Sequence, residues 1–368
     1  MTKAAELAKM GEVLTNSQIG GRRNLFYNPK MAVAQRATSV TGKTSGGYFT
    51  CDRWNVNLNT LGTWSISQAT DVPSSEGFSN SMKFDCTTAD ASPASGDAFW
   101  VEQRFEGQDL QQLKKGTSSA EVTTLSFWVK SNKTGTYIVN ILDNNASLRQ
   151  ISKAYTIDSA NTWEQKVISI EGDTSNVLPN DNSLEFVISW FLGAGSSYQS
   201  GSLQTTWGAY DATKRAVGQV NLADSTDNEW YITGVQWEVS SQATPFEHRS
   251  FGEELQLCKR YAYKPVAGQA YAHFGGGLAV SATLSYANIP LPVEMRINPA
   301  LTTNGTFRNY AHNGGKAITT NPTVLNAGST TMFIAQSTSS GGGMTAGDFV
   351  FLGANNDADA FLLFDAEL

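Results

Sequence analysis

Three histidines, His248, His273 and His312, are where acid–base or metal chemistry would first be sought in this chain of 368 residues. None stands in HExxH or in any other ligand spacing. His248, within FEHRS, reads as a hydrogen-bonded structural residue. There is no GxSxG elbow to present a nucleophile and no GxxxxGK[ST] loop to hold phosphates. The glycine runs at 275–277 and 341–343 are followed by neither a lysine nor a strong helix, so they read as turns. Asp143 could pair with Glu164 or Glu185, as glycoside hydrolysis requires, but nothing in the sequence sets the separation of the two carboxylates. DNNAS (143–147) and PNDNS (179–183) lack the DxDxDG pattern and distant Glu of a calcium loop and read as turns. No catalytic residue, metal ligand or cofactor is expected.

The aromatic residues say more. Nine tryptophans accompany a charged content of only 16%. In TLSFWVKS, Trp128 and Lys130 point opposite to Leu125, Phe127 and Val129. In AFWVEQRF, Trp100, Glu102 and Arg104 point opposite to Phe99 and Val101. An indole among polar residues on the second face of a strand has the composition of a platform that stacks sugar rings and bonds their hydroxyls. Trp100 and Trp128 are the stacking candidates on this reading. The competing role for either is to fill the second side of a sandwich or a subunit interface.

The elements that would position them are strands. From Leu25 to about Val239 apolar residues alternate with polar ones: Met82 and Phe84 in SMKFD, Tyr137, Val139 and Ile141 in YIVNIL, and Tyr231, Val235, Trp237 and Val239 in YITGVQWEV. Turns such as SNKTG and EGDTSN separate the runs. The pattern predicts an antiparallel jelly-roll sandwich over 22–249. Residues 250–265 read as a junction helix, with Ser250 and Glu253 as a capping box, Leu255, Cys258 and Tyr261 on one face, and Pro265 as the stop. Residues 266–368, short strands punctuated by glycines, read as a smaller C-terminal β-sandwich. Residues 1–21 read as a short helix with an apolar stripe of Leu7, Met10 and Leu14, followed by a Gly20-Gly21 link. A stripe so short needs a partner to stay helical in water.

Composition narrows the function classes. Net charge is -7, with no basic patch of the kind that neutralises phosphates, so nucleic acid is not an expected partner. MTKAAELAKMGEVL is neither a signal peptide nor a membrane span, so no membrane insertion is expected. Cys51, Cys86 and Cys258 form no CxxC pair and read as buried thiols.

NLFYNPKMAVAQRATS (24–39), YFTCDRW (48–54), FWVKSNKTGTYIV (127–139), NTWEQKVISIEGD (161–173), WYITGVQWEVSSQATPFEHRSFGEELQLCKRYAYK (230–264) and the terminal NNDADAFLLFDAEL together resemble structural proteins of tailed bacteriophages, of the marine type, read as tail fibre or host-recognition proteins. The likeness spans nearly all of 22–368. The sandwich region is similar in layout to jelly-roll carbohydrate-binding modules. Those modules often hold a structural calcium, but here Thr233-Gly234 and Asn28 with Lys30 stand where acidic residues would be expected.

The resemblance implies a virion protein, assembled in the host cytoplasm, that binds host surface polysaccharide without turnover. It implies a short tail fibre whose N-terminus joins other virion proteins through Leu7, Met10 and Leu14. A homotrimer is expected, joined at Leu255, Cys258 and Tyr261. The alternative is a capsid decoration or tail-connecting protein without receptor binding.

Overall fold

The computed structural model describes residue 3 and residues 22–368, except 146, 313, 326, 327, 340 and 341, with only the backbone at 317, 319 and 320. The expected N-terminal stripe, Leu7, Met10 and Leu14, lies outside the described residues. The chain divides into two compact units, Met1–Phe251 and Gly252–Leu368. Both are built almost wholly of antiparallel strands. No described helix is long and apolar enough to cross a membrane.

The first unit holds β1 (Ser39–Tyr48), β2 (Asn55–Ala69), β3 (Ser81–Thr88), β4 (Ala98–Glu106), β5 (Thr123–Ser131), β6 (Gly135–Asp143), β7 (Arg149–Ile157), β8 (Glu164–Ile170), β9 (Leu184–Ala194), β10 (Gly208–Ala209) and β11 (Glu229–Val239). Pairing runs β10-β7-β6-β9-β4-β2-β3-β11-β5-β8, with β1 on β2. The path becomes two layers because β2 serves both. Its first half pairs with β4, Asn55 opposite Glu102, and its second half with β3, Ala69 opposite Ser81. Between the halves Thr60 and Gly62 take φ of 53° and 72°, left-handed backbone that turns the strand from one layer into the other.

Alternation places the core between the layers. Phe84, Leu125, Phe127, Val129 and Ile232 come from one layer, Val101, Phe105, Val139, Ile188 and Trp190 from the other, and all are essentially inaccessible. Trp54, Trp64, Trp190, Trp230 and Trp237 are among the largest fully buried side chains. Burying a side chain of this size removes on the order of 200 Å² from water. Cys51, Cys86 and Cys258 are buried free thiols, and burial pushes Cys86 up to about 11.

The second unit holds the helix Phe251–Lys259, then β12 (Ala262–Tyr263), β13 (His273–Ala279), β14 (Leu284–Pro290), β15 (Ala300–Asn304), β16 (Phe307–Ala311), β17 (Gly314–Val324), β18 (Met332–Ser339), β19 (Phe349–Ala354) and β20 (Phe361–Asp365). The small β-domain expected here is formed by two sheets, one of them closed on itself. β12, β20 and β15 make an open sheet, and β13-β14-β18-β17-β16-β19 close into a barrel. The run 275–277 corrects the sequence reading: it lies inside β13 and is no turn. A Cβ at Gly275 would meet the Asn288 carbonyl oxygen at 2.4 Å, and one at Gly277 that of Tyr286 at 1.9 Å. Glycine is needed here for close strand approach rather than for chain reversal.

Candidate functional site

Of the nine tryptophans, Trp128, Trp163 and Trp207 are the half-buried ones. Trp207 leans on the main core and donates its indole N–H to the Glu171 carbonyl at 2.7 Å. Trp128 and Trp163 share the outer face of the β3-β11-β5-β8 layer, and strand register explains why. Leu125, Phe127 and Val129 fill the core, so Trp128 and Lys130 point outward. Tyr231 on β11 stands opposite Lys130 on one side and Lys83 of β3 on the other. Trp128 stands between Thr233 of β11 and Gln165 of β8. Trp163, immediately before β8, completes the row that Lys83, Tyr231 and Lys130 begin.

The row is held by charge and by π faces. The Lys130 ammonium lies 4.4 Å from the Tyr231 ring centroid and 5.7 Å from that of Trp163. It also pairs with Asp71, to which the Trp163 indole donates at 2.9 Å. Partial burial alone would raise the Asp71 pKa, but the bonds from Lys130 and Trp163 outweigh it and hold the carboxyl below its ordinary value. At the other end, Lys83 pairs with Glu229 at 2.7 Å and Asp85 at 3.2 Å. Desolvation opposes its charge, yet Glu229 and Tyr231 raise the Lys83 pKa overall. Burial, then the Glu229 carboxylate, pushes the Tyr231 phenol up to about 12. Trp128 was legible from alternation within one strand. Trp163 was not, because its place beside Lys130 comes from the pairing of β5 with β8.

Trp100 points away from the main core, as its strand pattern predicts, but a second layer of chain covers it. Tyr198, Arg215 and Ala216, from the chain after β9, lie over the outer face of the other sheet. There the Trp100 ring stands 5.0 Å from Phe191 and 5.8 Å from Tyr198, with the Arg215 guanidinium 4.9 Å from its centroid. Its indole N–H donates to Glu102 at 2.6 Å, and Arg215 donates to Asn140 at 2.9 Å. At 7% exposure, Trp100 offers no open face to a ligand, and its stacking candidacy is withdrawn. Arg215 fills the aromatic cage itself, and its desolvation lowers its pKa.

The expected trimer joint loses two of its three residues. Cys258 and Tyr261 are fully buried within the single chain, and Leu255 is half-buried. His248 sits against Phe78 and Phe246 at ring distances of 5.7 and 4.9 Å, a packing contact rather than a catalytic one.

Of the residues that stand in place of the expected calcium-ligating acids, Asn28 exchanges bonds with Val33 and donates to the Asp52 carbonyl, and Lys30 donates to the Arg249 carbonyl at 2.7 Å. Among the described residues no group of three or more His, Cys, Asp or Glu could hold a metal. One cation site is filled by the chain's own lysine. The Lys115 ammonium, 4% exposed as a residue, lies 2.8 Å from Asp143 and 3.4 Å from Asp173, and donates to the carbonyls of Ser175 and Asn176 at 2.7 Å each. A shallow cleft of about 350 Å³ at the end of the sandwich near residues 194–200 is lined by Ser196, Gln199, Ser200 and Asn221, without an aromatic ring.

No protein-family model matches the chain, and no curated protein matches it. Among solved structures it is similar to the enzymatically active domain of tailspike protein 4 of bacteriophage CBA120, at 13% identity and a TM-score of 0.31, over 59% of this chain and 21% of that one. It is similar to a putative sugar binding protein from Bacteroides thetaiotaomicron at 16% identity and a TM-score of 0.32, over 59% of this chain and 100% of that one. TmCBM61, solved with β-1,4-galactotriose, gives 11% identity and a TM-score of 0.29, over 60% of this chain and 100% of that one.

Proposed function

We propose that the chain is a non-catalytic glycan-binding protein of a phage particle, a short tail fibre that acts as a homo-oligomer, a trimer. The observation that carries the binding part is the pair of half-buried indoles, Trp163 and Trp128, on one outer sheet face, held in place by the buried Lys130 and Tyr231. Half-buried indoles present flat apolar surface to a pyranose ring. The adjoining exposed Asp71 and Gln165 offer an acceptor and a donor for its hydroxyls. Each site binds weakly, and several copies on one particle multiply the effect. The resemblance of 24–39 and 230–264 to phage structural proteins supports the virion part, with residues 1–21 as the attachment segment.

The test is binding of the full chain to a glycan array and to intact host cells, with Trp163→Ala and Trp128→Ala alongside. Loss of binding at an unchanged melting temperature is expected. No binding by the unaltered protein, or full binding by both variants, overturns the glycan reading. Antibody labelling of intact particles tests the fibre reading separately.

A further inference from the structure

We propose that the outer face of β13, β14 and β19 on the C-terminal barrel is where the chain meets a second copy of itself. The inference rests on the homo-oligomer in the reading above and gives it a location, since two of the three helix residues expected to form the joint, Cys258 and Tyr261, are buried in their own chain.

Register assembles the patch. Leu278 stands opposite Phe349 on one side and Tyr286 on the other, and Gly276 stands opposite Phe351. Phe349 and Phe351 pack edge to face at 4.9 Å, and Phe351 stacks on His273 at 4.8 Å. The glycine between them makes this possible: a Cβ at Gly276 would meet Phe349 at 2.9 Å and Phe351 at 3.3 Å. Both rings therefore reach over the strand at Gly276. In a barrel whose inner side is already filled by Phe333, Leu352 and Ala335, they have no internal task.

Exposure is large for such side chains: Phe349 56%, Phe351 41%, Leu278 53% and the adjoining Tyr271 54%. With about 200 Å² for each large side chain, they leave roughly 400 Å² of apolar surface. That matches the apolar share, about 450 Å², of one partner's side of a standard interface. It is also the size at which an apolar patch on a protein surface commonly serves an interaction.

The occupant follows from charge. A patch without charge can meet its own copy with no like-charge repulsion to offset, whatever the symmetry. Leu278, Phe349, Phe351, Tyr286, Tyr271 and the glycines supply no carboxylate, ammonium or guanidinium. Charge begins at the rim, where Asp348 lies 3.5 Å from His312 Nδ1. A glycan face would need charged or amide partners beside its rings, such as Asp71 and Gln165 in the first unit, and this patch has none among the residues named.

Sedimentation of the full chain without glycan tests the idea independently of sugar binding. The unaltered protein should sediment as an integer multiple of 39.7 kDa at micromolar concentration, and Leu278→Ser with Phe349→Ser should return it to a monomer with unchanged circular dichroism. A monomeric unaltered protein, or an assembly that survives the double substitution, overturns the proposal. If the double variant does not fold, Leu278→Cys decides. The native thiols are all buried, so mild oxidation should join copies through the new one. Its failure to cross-link counts against the interface, and so does a chain that stays monomeric alone and attaches to another virion protein through this face.

Discussion

The backbone N–H of Asn24 donates to Oε2 of Glu247 at 2.5 Å, across 223 residues of sequence. The bond belongs to a clasp. The Asn24 side chain bonds the Val235 carbonyl at 2.9 Å and receives the N–H of Phe26 at 3.0 Å. Arg249 reaches back to the carbonyls of Asn24 and Phe26 at 2.8 and 2.9 Å. Glu238 accepts from the Thr244 N–H at 2.9 Å, from its hydroxyl at 2.6 Å and from Gln236 at 2.9 Å, and pairs with Arg23 at 3.2 Å. The stretches most characteristic of the sequence, NLFYN and VQWEVSSQATPFEHR, thus bind each other. Their distinctive residues serve architecture rather than a ligand.

Glu238→Ala should therefore destabilise the first unit strongly. Its side chain is 1% exposed, and its loss strands buried donors at a cost of about 3 kcal/mol. Chemical denaturation should show a lower midpoint with glycan binding intact below it. An unchanged midpoint would refute the clasp.

The two sequence-derived tryptophans should part company. Trp100→Ala, in a filled cage, should cost about 3–5 kcal/mol of stability. Trp128→Ala, and equally Trp163→Ala, should leave the melting temperature nearly unmoved and weaken glycan binding about tenfold, the ~1.4 kcal/mol of one good stacking contact. Thermal melts paired with binding isotherms separate the outcomes.

These contrasts mark what was legible. Met82 with Phe84, and Leu125 with Phe127 and Val129, announced strands because side-chain direction alternates within a strand. The second face of β4 read as an exposed platform for the same reason, yet it is roofed by Tyr198, Arg215 and Ala216. A cover supplied by chain some hundred residues away leaves no mark on local periodicity. Barrel closure and the placement of Trp163 beside Lys130 are likewise properties of register, and register is a relation between strands. The glycines of β13 misled because glycine is common both in turns and at close strand contacts.

Lys115→Met should destabilise the fold by about 3–5 kcal/mol, the usual cost of removing one member of a buried ion pair. Asp143 is fully buried and would lose its counter-charge, while Asp173 would keep Arg149 at 2.8 Å. The double variant with Asp143→Leu should recover part of the loss in denaturant titrations. No recovery would mean that the lysine acts through its two carbonyl bonds instead.

Glu185 gives a pH dependence of definite sign. Burial, then the neighbouring Asp143 and Asp181, raises its pKa above the ordinary 4.5. Its stabilising contribution is fully present below the ordinary value and is lost as pH rises through the raised folded one. Glu185→Gln should therefore raise the melting temperature at pH 7, and the gain should shrink toward pH 4. A gain that is constant with pH would assign the effect to packing.

The clasp has an evolutionary consequence. Because Arg23 and Asn24 are bonded to Pro245 and Glu247, the polypeptide enters and leaves the sandwich at one point. A module whose ends meet can be exchanged as a cassette without redirecting the chain on either side. Recombination at those two seams could replace one recognition surface with another while leaving the flanking segments, and whatever they attach to, undisturbed.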